Sequence, residues 1–402
     1  MRALRLALVL FASTIAELPA QDFLDQLDER LTLSAFGDNV RARLSGTLDL
    51  EYYRFDQPPP GLIDAAGHDL FNPRLTVFLD AQLGAHLYFF SQARLDRHFD
   101  PMDRGAQVRL DEYALRYTPW DDGRLNIQVG KFATVISKWA ERHLSWDNPF
   151  INSPLIYENI TPLEDLSAPY YLYGGDILDQ KYEYIPVIWG PSYASGASVA
   201  GQLGMFEYAG EIKNTSLSSR PEVWDVTQTG FEHPTFSGRI GLRPNEMWDF
   251  GVSASDGAYF QPQAQSTLPL GTDIGDYHET VLGQDVSFAW RHLQIWAEFH
   301  EARFEVPRFG DADTFGYFIE AKYKITPQLF GAIRWNQQLF GDLDDGYGGE
   351  TQWGHNVVRV DLAAGYRFTE HTQLKLQYYL EHAEDTRRDF GHSFGAQFTV
   401  RF

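Results

Sequence analysis

Charged residues in this chain recur at every second position within short apolar segments, and that spacing limits the chemistry open to them. Glu298 and His300 alternate with Ala297 and Phe299, and Glu320, Lys322 and Lys324 alternate with Ile319, Ala321 and Tyr323. Side chains two apart share one face of a strand. On that spacing Arg94, Arg116, Arg124, Arg334, Arg359, Arg367 and Lys375 join Glu298, Glu320 and Lys322 in inward rows of mixed sign. Fixed charges of this kind facing a water-filled pore tune which ions pass. They can equally neutralise one another across a lumen. Both readings stand for any single residue, and only the field of the whole set is expected to matter.

Other chemistry finds no support. His300-Glu301 has no second His at the spacing a zinc hydrolase needs, and no glycine-rich phosphate loop occurs. Ser287 and His292 lack a third group in register. Gly341 to Glu350 gathers carboxylates and glycines but not in the Asp-x-Asp-x-Asp-Gly register, so a solvated acidic loop is expected there, with calcium or magnesium bridging to lipopolysaccharide phosphates left open. No enzyme activity, cofactor or resident metal is expected. The net charge of −22 argues against nucleic acid as a partner.

The elements that carry these rows are strands. From residue 41 onward alternating segments of about ten residues are separated by turns, as expected of an all-β, transmembrane antiparallel barrel. About sixteen are read: 41–54, 73–83, 86–97, 107–118, 124–133, 196–203, 206–214, 235–243, 247–256, 280–291, 293–304, 314–325, 329–340, 355–368, 372–385 and 391–402. Fourteen or eighteen remain open. Aromatics at 15 % suit interfacial girdles, and a mean hydropathy of −0.34 fits a barrel whose inward faces meet water. Connections alternate short and long, the long ones at about 55–72, 98–106, 134–195, 215–234, 257–279, 305–313, 341–354 and 386–390. That rhythm places tight turns on the periplasmic side and loops outside.

The connection over about 134–195 is out of scale and needs a function. It falls after the fifth strand, as the third outer loop, and its repeated Pro argues against regular structure. Trp139, Glu141, Arg142, Asp147, Tyr157 and Glu158 are its candidate constriction residues. Its aromatics would pack it on the wall, line the opening or stack on sugars. Its acids, facing a slightly basic wall, would set a transverse field across the constriction.

Upstream, Arg2 and Arg5, the apolar run Leu6 to Phe11 and Leu18-Pro19-Ala20 read as a signal peptide over 1–20, with Ala16 a second cleavage site. A short amphipathic helix within 22–36, packed against the periplasmic turns, is expected in a linking segment over 21–40, ahead of a barrel spanning 41–402. The absence of Cys means that disulfides do not hold the fold.

On these residues the chain resembles Gram-negative outer-membrane porins. Phe402 closes an outward row of Phe394, Ala396, Phe398 and Val400, similar to the terminal Phe that serves such barrels as an assembly signal. Arg124-Leu-Asn-Ile-Gln-Val-Gly-Lys-Phe132, with Asn148-Pro149 and Pro154-Leu155, resembles the strand and constriction loop of phosphate-selective-porin-like families. The resemblance implies an inward-folded third loop, a homotrimeric channel for small hydrophilic solutes, often anion-preferring, and partners in outer-membrane lipid, lipopolysaccharide and the barrel assembly machinery. No lysine cluster for phosphate is found in the loop. A passive diffusion channel is the leading reading. A substrate-specific channel for sugars or anions such as phosphate, and a plugged barrel acting as adhesin or complex scaffold, are its alternatives.

Overall fold

The computed structural model describes residues 19–36, 39–97, 105–170, 172, 181–344, 349–384 and 390–402. One antiparallel sheet of 17 strands dominates. Sixteen of them close on themselves: β1 (Val40–Phe55), β2 (Asp69–Leu83), β3 (Leu87–Asp96), β4 (Gln107–Tyr117), β5 (Asn126–Phe132), β6 (Ala194–Leu203), β7 (Phe206–Lys213) and β8 (Thr235–Asn245). They continue as β9 (Trp248–Ala258), β10 (His278–Trp290), β11 (Leu293–Val306), β12 (Gly310–Lys324), β13 (Leu329–Phe340), β14 (Val357–Arg367), β15 (Thr372–Ala383) and β16 (Gly391–Arg401). Each pairs with its neighbours, and β1 pairs with β16 from Thr47–Arg401 to Phe55–Ser393, so the wall is a barrel of sixteen strands.

Burial along the strands is inverted relative to a protein folded in water. Glu320, Arg334, Asn336, Arg359, Asp361 and Lys375 are fully buried, while Leu362, Leu376, Ile333, Ile319, Leu282 and Val252 are exposed. Ion pairs inside and a continuous apolar skin outside are stable only where the surroundings are hydrocarbon and the interior is polar. Exposed rings crowd both rims of that skin. Tyr117, Phe206, Trp290, Tyr323 and Tyr366 lie at the short-turn end, and Tyr52, Phe71, Phe236, Phe315 and Phe394 lie toward the other.

The seam is continuous. Gly46 and Phe402 exchange both backbone hydrogen bonds, at 2.8 and 3.0 Å. Below that point the short strand Thr32–Ala35 takes over as the partner of β1, pairing Thr32 with Arg43 through Ala35 with Val40. The short helix expected within 22–36 is helix α1, which spans Pro19–Arg30, and the following Thr32–Ala35 are extended. Asp25 of α1 meets His371 in the β14–β15 turn at 2.7 Å, so the helix does rest on the turns. Residues 1–18, and with them most of the expected signal peptide, lie outside the described residues.

One connection breaks the short–long rhythm. The expected loop over 305–313 shrinks to residues 307–309, because β11 and β12 remain paired out to Val306–Gly310. Arg308 and Gly310 adopt left-handed φ values of 73° and 92° to make that tight turn. Pro73 is tolerated within β2 because it lies beyond Leu75–Leu95, the last pair with β3, so one edge there has no ladder to serve.

Candidate functional site

The connection between β5 and β6 enters the barrel. A non-periodic, Pro-rich segment inside a lumen carries backbone groups that secondary structure does not satisfy, and the wall supplies their partners. Ser137 takes a left-handed φ of 76°, which points successive N–H groups the same way. The N–H of Lys138 and of Trp139 both donate to Glu298 Oε1, at 3.0 and 2.7 Å. Gln377 Oε1 accepts from Ile151 N and Asn152 N, and Asn336 Oδ1 from Leu155 N.

Carbonyls are met by the predicted wall bases. Lys375 Nζ donates to Ser145 O, Asn148 O and Phe150 O at 2.7, 3.0 and 3.1 Å. Arg334 donates to Asn152 O and Ser153 O, Arg359 to Ser153 O and to the Glu158 carboxylate at 2.6 Å, and Arg367 to Trp146 O. Arg142 returns the contact, reaching Glu320 at 2.7 Å. Glu298, Glu320, Arg334, Arg359, Arg367 and Lys375 are therefore brought to the loop as its anchors.

The remaining expected sites are scattered. Arg116 hydrogen-bonds Gln128 and borders open lumen, and Lys322 Nζ stands 4.5 Å from the Phe330 ring centroid. Arg124 is not on the wall: β5 begins at Asn126, and Arg124 sits in the preceding turn against Asp122 at 2.8 Å and over Trp120. Glu141 is exposed beside Lys138, at 3.3 Å. Asp147 is also exposed.

Of the three roles open to the loop aromatics, packing is the one most of the described rings fill. Trp139 and Tyr157 stack at 4.5 Å, 2 % and 0 % exposed, and Trp189, Tyr193 and Phe150 are also buried. Tyr170 is exposed; Tyr171 and Tyr173, with Asp176 and Asp179, lie outside the described residues. Neighbouring long loops clasp the assembly. Arg220 forks onto Asp165 at 2.8 and 2.9 Å, with both groups buried, and Trp224 packs edge-on against Tyr193. Lys181 Nζ donates to Pro59 O, Gly61 O and Ile63 O, and its burial pushes the ammonium down to about 8.

The expected opposition of basic wall and acidic loop is largely cancelled at contact distance. Arg334 pairs with Asp361 at 2.9 Å, Arg239 with Asp285 at 2.7 Å, Arg94 with Asp96 at 2.9 Å, and Glu158 with Arg359. Two spaces border the loop among the described residues. One, of about 100 Å³, lies on the long-loop side of the constriction between Arg74, Arg94 and Arg109 of the wall and Asn148, Ser153 and Glu158 of the loop. The other, of about 710 Å³, opens toward the short turns between Arg116, Gln128, Glu207 and Arg239.

Arg74 and Arg109 were not among the expected site residues. Arg74 shares its row with Thr76 and alternates with Leu75 and Val77, so its signal was present. Arg109 was hidden by a bulge: Gln92 pairs with Glu112 but Ala93 pairs with Leu110, which leaves Asp111 unpaired and reverses the facing of everything before it.

At the short-turn mouth a different balance holds. Trp146 of the loop is flanked by Arg401 and Arg367, their guanidinium carbons 4.2 and 4.9 Å from its ring centroid. Arg401 donates to the Glu370 carbonyl and Arg367 to Gln373 and the Trp146 carbonyl, all neutral acceptors.

No protein-family model matches the chain, and no curated protein matches its sequence. Solved structures do match its shape. The outer-membrane channel DcaP of Acinetobacter baumannii aligns with a TM-score of 0.57 at 11 % identity, over 92 % of this chain and 100 % of its own. Outer-membrane expressed OmpT of Vibrio cholerae gives 0.55 at 11 %, over 92 % and 100 %. An anion-selective porin from Comamonas acidovorans gives 0.55 at 10 %, over 90 % and 100 %. At such identities the likeness establishes a shared barrel fold.

Proposed function

We propose that the chain is a passive diffusion channel of the bacterial outer membrane for small hydrophilic solutes and ions. The observation that carries this reading is a closed barrel, apolar outside and charged inside, whose longest loop narrows the lumen and leaves open space on both sides. The short turns face the periplasm in this reading and the clasped loops face outward. The names of two similar structures, a channel and an anion-selective porin, agree with it.

We further propose a preference for anions. Arg94 and Arg334 near the constriction are matched by Asp96 and Asp361, whereas among the described residues Arg367 and Arg401 at the periplasmic mouth donate to the Gln373 side chain and to the Trp146 and Glu370 carbonyls. A homotrimer is proposed on the strength of a trimer form reported for Vibrio cholerae OmpT. Lipid and lipopolysaccharide outside, and the barrel assembly machinery acting on Phe402, complete the proposed partners.

Single-channel recording of the purified protein in a planar bilayer, with reversal potential under a salt gradient, tests this. Discrete steps with an anion-directed potential support it. Silence from verified folded protein moves the plugged-barrel reading to the front.

A further inference from the structure

The two spaces in the lumen are separated by a chain of hydrogen-bonded side chains. His143 of the loop lines both the smaller space and the larger one. Its Nδ1 lies 2.6 Å from the Ala140 carbonyl, which accepts only, so Nδ1 carries the proton and Nε2 is an acceptor. The Tyr193 hydroxyl occupies Nε2 as donor. The same hydroxyl oxygen accepts from Gln92 Nε2 at 3.3 Å, and Gln92 belongs to β3 on the far wall. A bar therefore runs from the wall through Gln92, Tyr193 and His143 to the loop backbone, with every bonding direction fixed.

Packing holds the bar upright. The His143 and Tyr193 rings meet edge-on at 5.7 Å, and Trp139 and Trp224 back them at 6.0 and 5.6 Å. Tyr193 is only 1 % exposed. The arginine-lined space above and the vestibule below have no other lining residue in common.

We infer that the Gln92–Tyr193–His143 bar is the gate of this pore, the element whose displacement joins the outer space to the vestibule and sets the size of solute that passes. The inference rests on the channel reading. It differs from a fixed constriction, because the bar is three hydrogen bonds and two rings between rigid supports, and rotating His143 away from Tyr193 opens it without moving the loop's anchors on β11 to β15.

The test compares the full-length wild type, His143→Ala and Tyr193→Phe, each confirmed as folded, by single-channel steps and by liposome swelling with neutral sugars of increasing size. His143→Ala removes the bar and is expected to enlarge the steps and admit larger sugars. Tyr193→Phe keeps the ring but loses both bonds, and is expected to raise the frequency of opening with little change in step size. A silent wild type with a conducting His143→Ala also supports the gate. A conducting wild type with both variants identical to it overturns the gate and leaves the channel reading intact. Silence in all three overturns both.

Discussion

Glu298 and Trp139 meet at 2.7 Å, carboxylate oxygen to backbone N–H, across 159 residues of sequence. The same oxygen also takes the Lys138 N–H, and the other oxygen takes the Tyr157 hydroxyl at 2.5 Å. One strand residue thus fixes the loop at its first turn inside the lumen.

Glu298→Ala should orphan both amides, at about 1–3 kcal/mol each. Noisier openings and a larger mean conductance are expected in single-channel records. Glu298→Gln keeps an acceptor at the amides and should stay near wild type; equal behaviour of the two variants would deny Glu298 its anchoring role.

The seam makes a second prediction. A Cβ on Gly46 would lie 2.6 Å from the Phe402 ring and 2.7 Å from the Thr76 carbonyl. Gly46→Val should therefore impair closure, read as loss of the heat-modifiable folded band on a gel. Adding Phe402→Ala should recover only part of it, because the backbone contact at Thr76 remains.

Depth in the skin can be read from two positions on β14. Leu362 is mid-strand and exposed, and Val358 lies one residue from the end. Leu362→Arg should cost about 2–4 kcal/mol of folding into vesicles and Val358→Arg less. Equal urea midpoints would place the apolar band elsewhere. Arg359→Ala should be severe. It leaves Glu158 and Asp361 buried without that partner, a loss of about 3–5 kcal/mol for a broken buried pair.

Selectivity tests the mouth. Replacing Arg367 and Arg401 together by Gln removes the two cations flanking Trp146 and should move the reversal potential toward cations. No movement would assign the anion preference to another part of the lumen.

A pH dependence follows from His143. Burial holds its imidazole down to about 4 against an ordinary value near 6.5, with Arg94 and Arg74 adding to the depression and Asp111 and the Ala140 carbonyl opposing it. Between those values the unfolded loop binds a proton that the folded loop refuses. Stability is therefore complete above about 6.5, falls as pH drops toward 4, and levels off below. Below about 4 the protonated Nε2 can no longer accept from Tyr193. Channel opening should change through that range in the wild type and stay flat in His143→Gln.

The strands were legible because a half-buried strand writes its facing every second residue. Predicted and observed bounds differ by a residue or two from β8 to β10, and agree outright for β13. The edge strand Thr32–Ala35 was not legible, since four residues carry too little periodicity to oppose the helical spacing of Leu24, Leu27 and Leu31. The inward bases were found, but not what they bind. Whether Lys375 faces water or three loop carbonyls depends on where residues 145–150 lie, some 230 positions away in sequence. Arg109 was beyond reach for a different reason, because one unpaired residue at Asp111 inverts the parity on which the reading relies.

The loop leans to one side. Its anchors stand on β11 to β15, while the open spaces run along β1 to β8. A single sheet therefore holds two regimes. Along β11 to β15 the wall is half of a dry, hydrogen-bonded core whose amides are sealed between lipid and loop, and those strands should open to hydrogen exchange only as the barrel comes apart. Along β1 to β8 the inner face borders the open spaces and meets the loop at scattered points, such as Gln92 on Tyr193 and Glu211 on Thr134. Outside the buried pairs of Arg74 with Asp49 and Glu51 and of Arg109 with Asp111, positions that line those spaces can take new side chains at less cost, so this is the half of the wall where the chain can change what it carries while keeping how it folds.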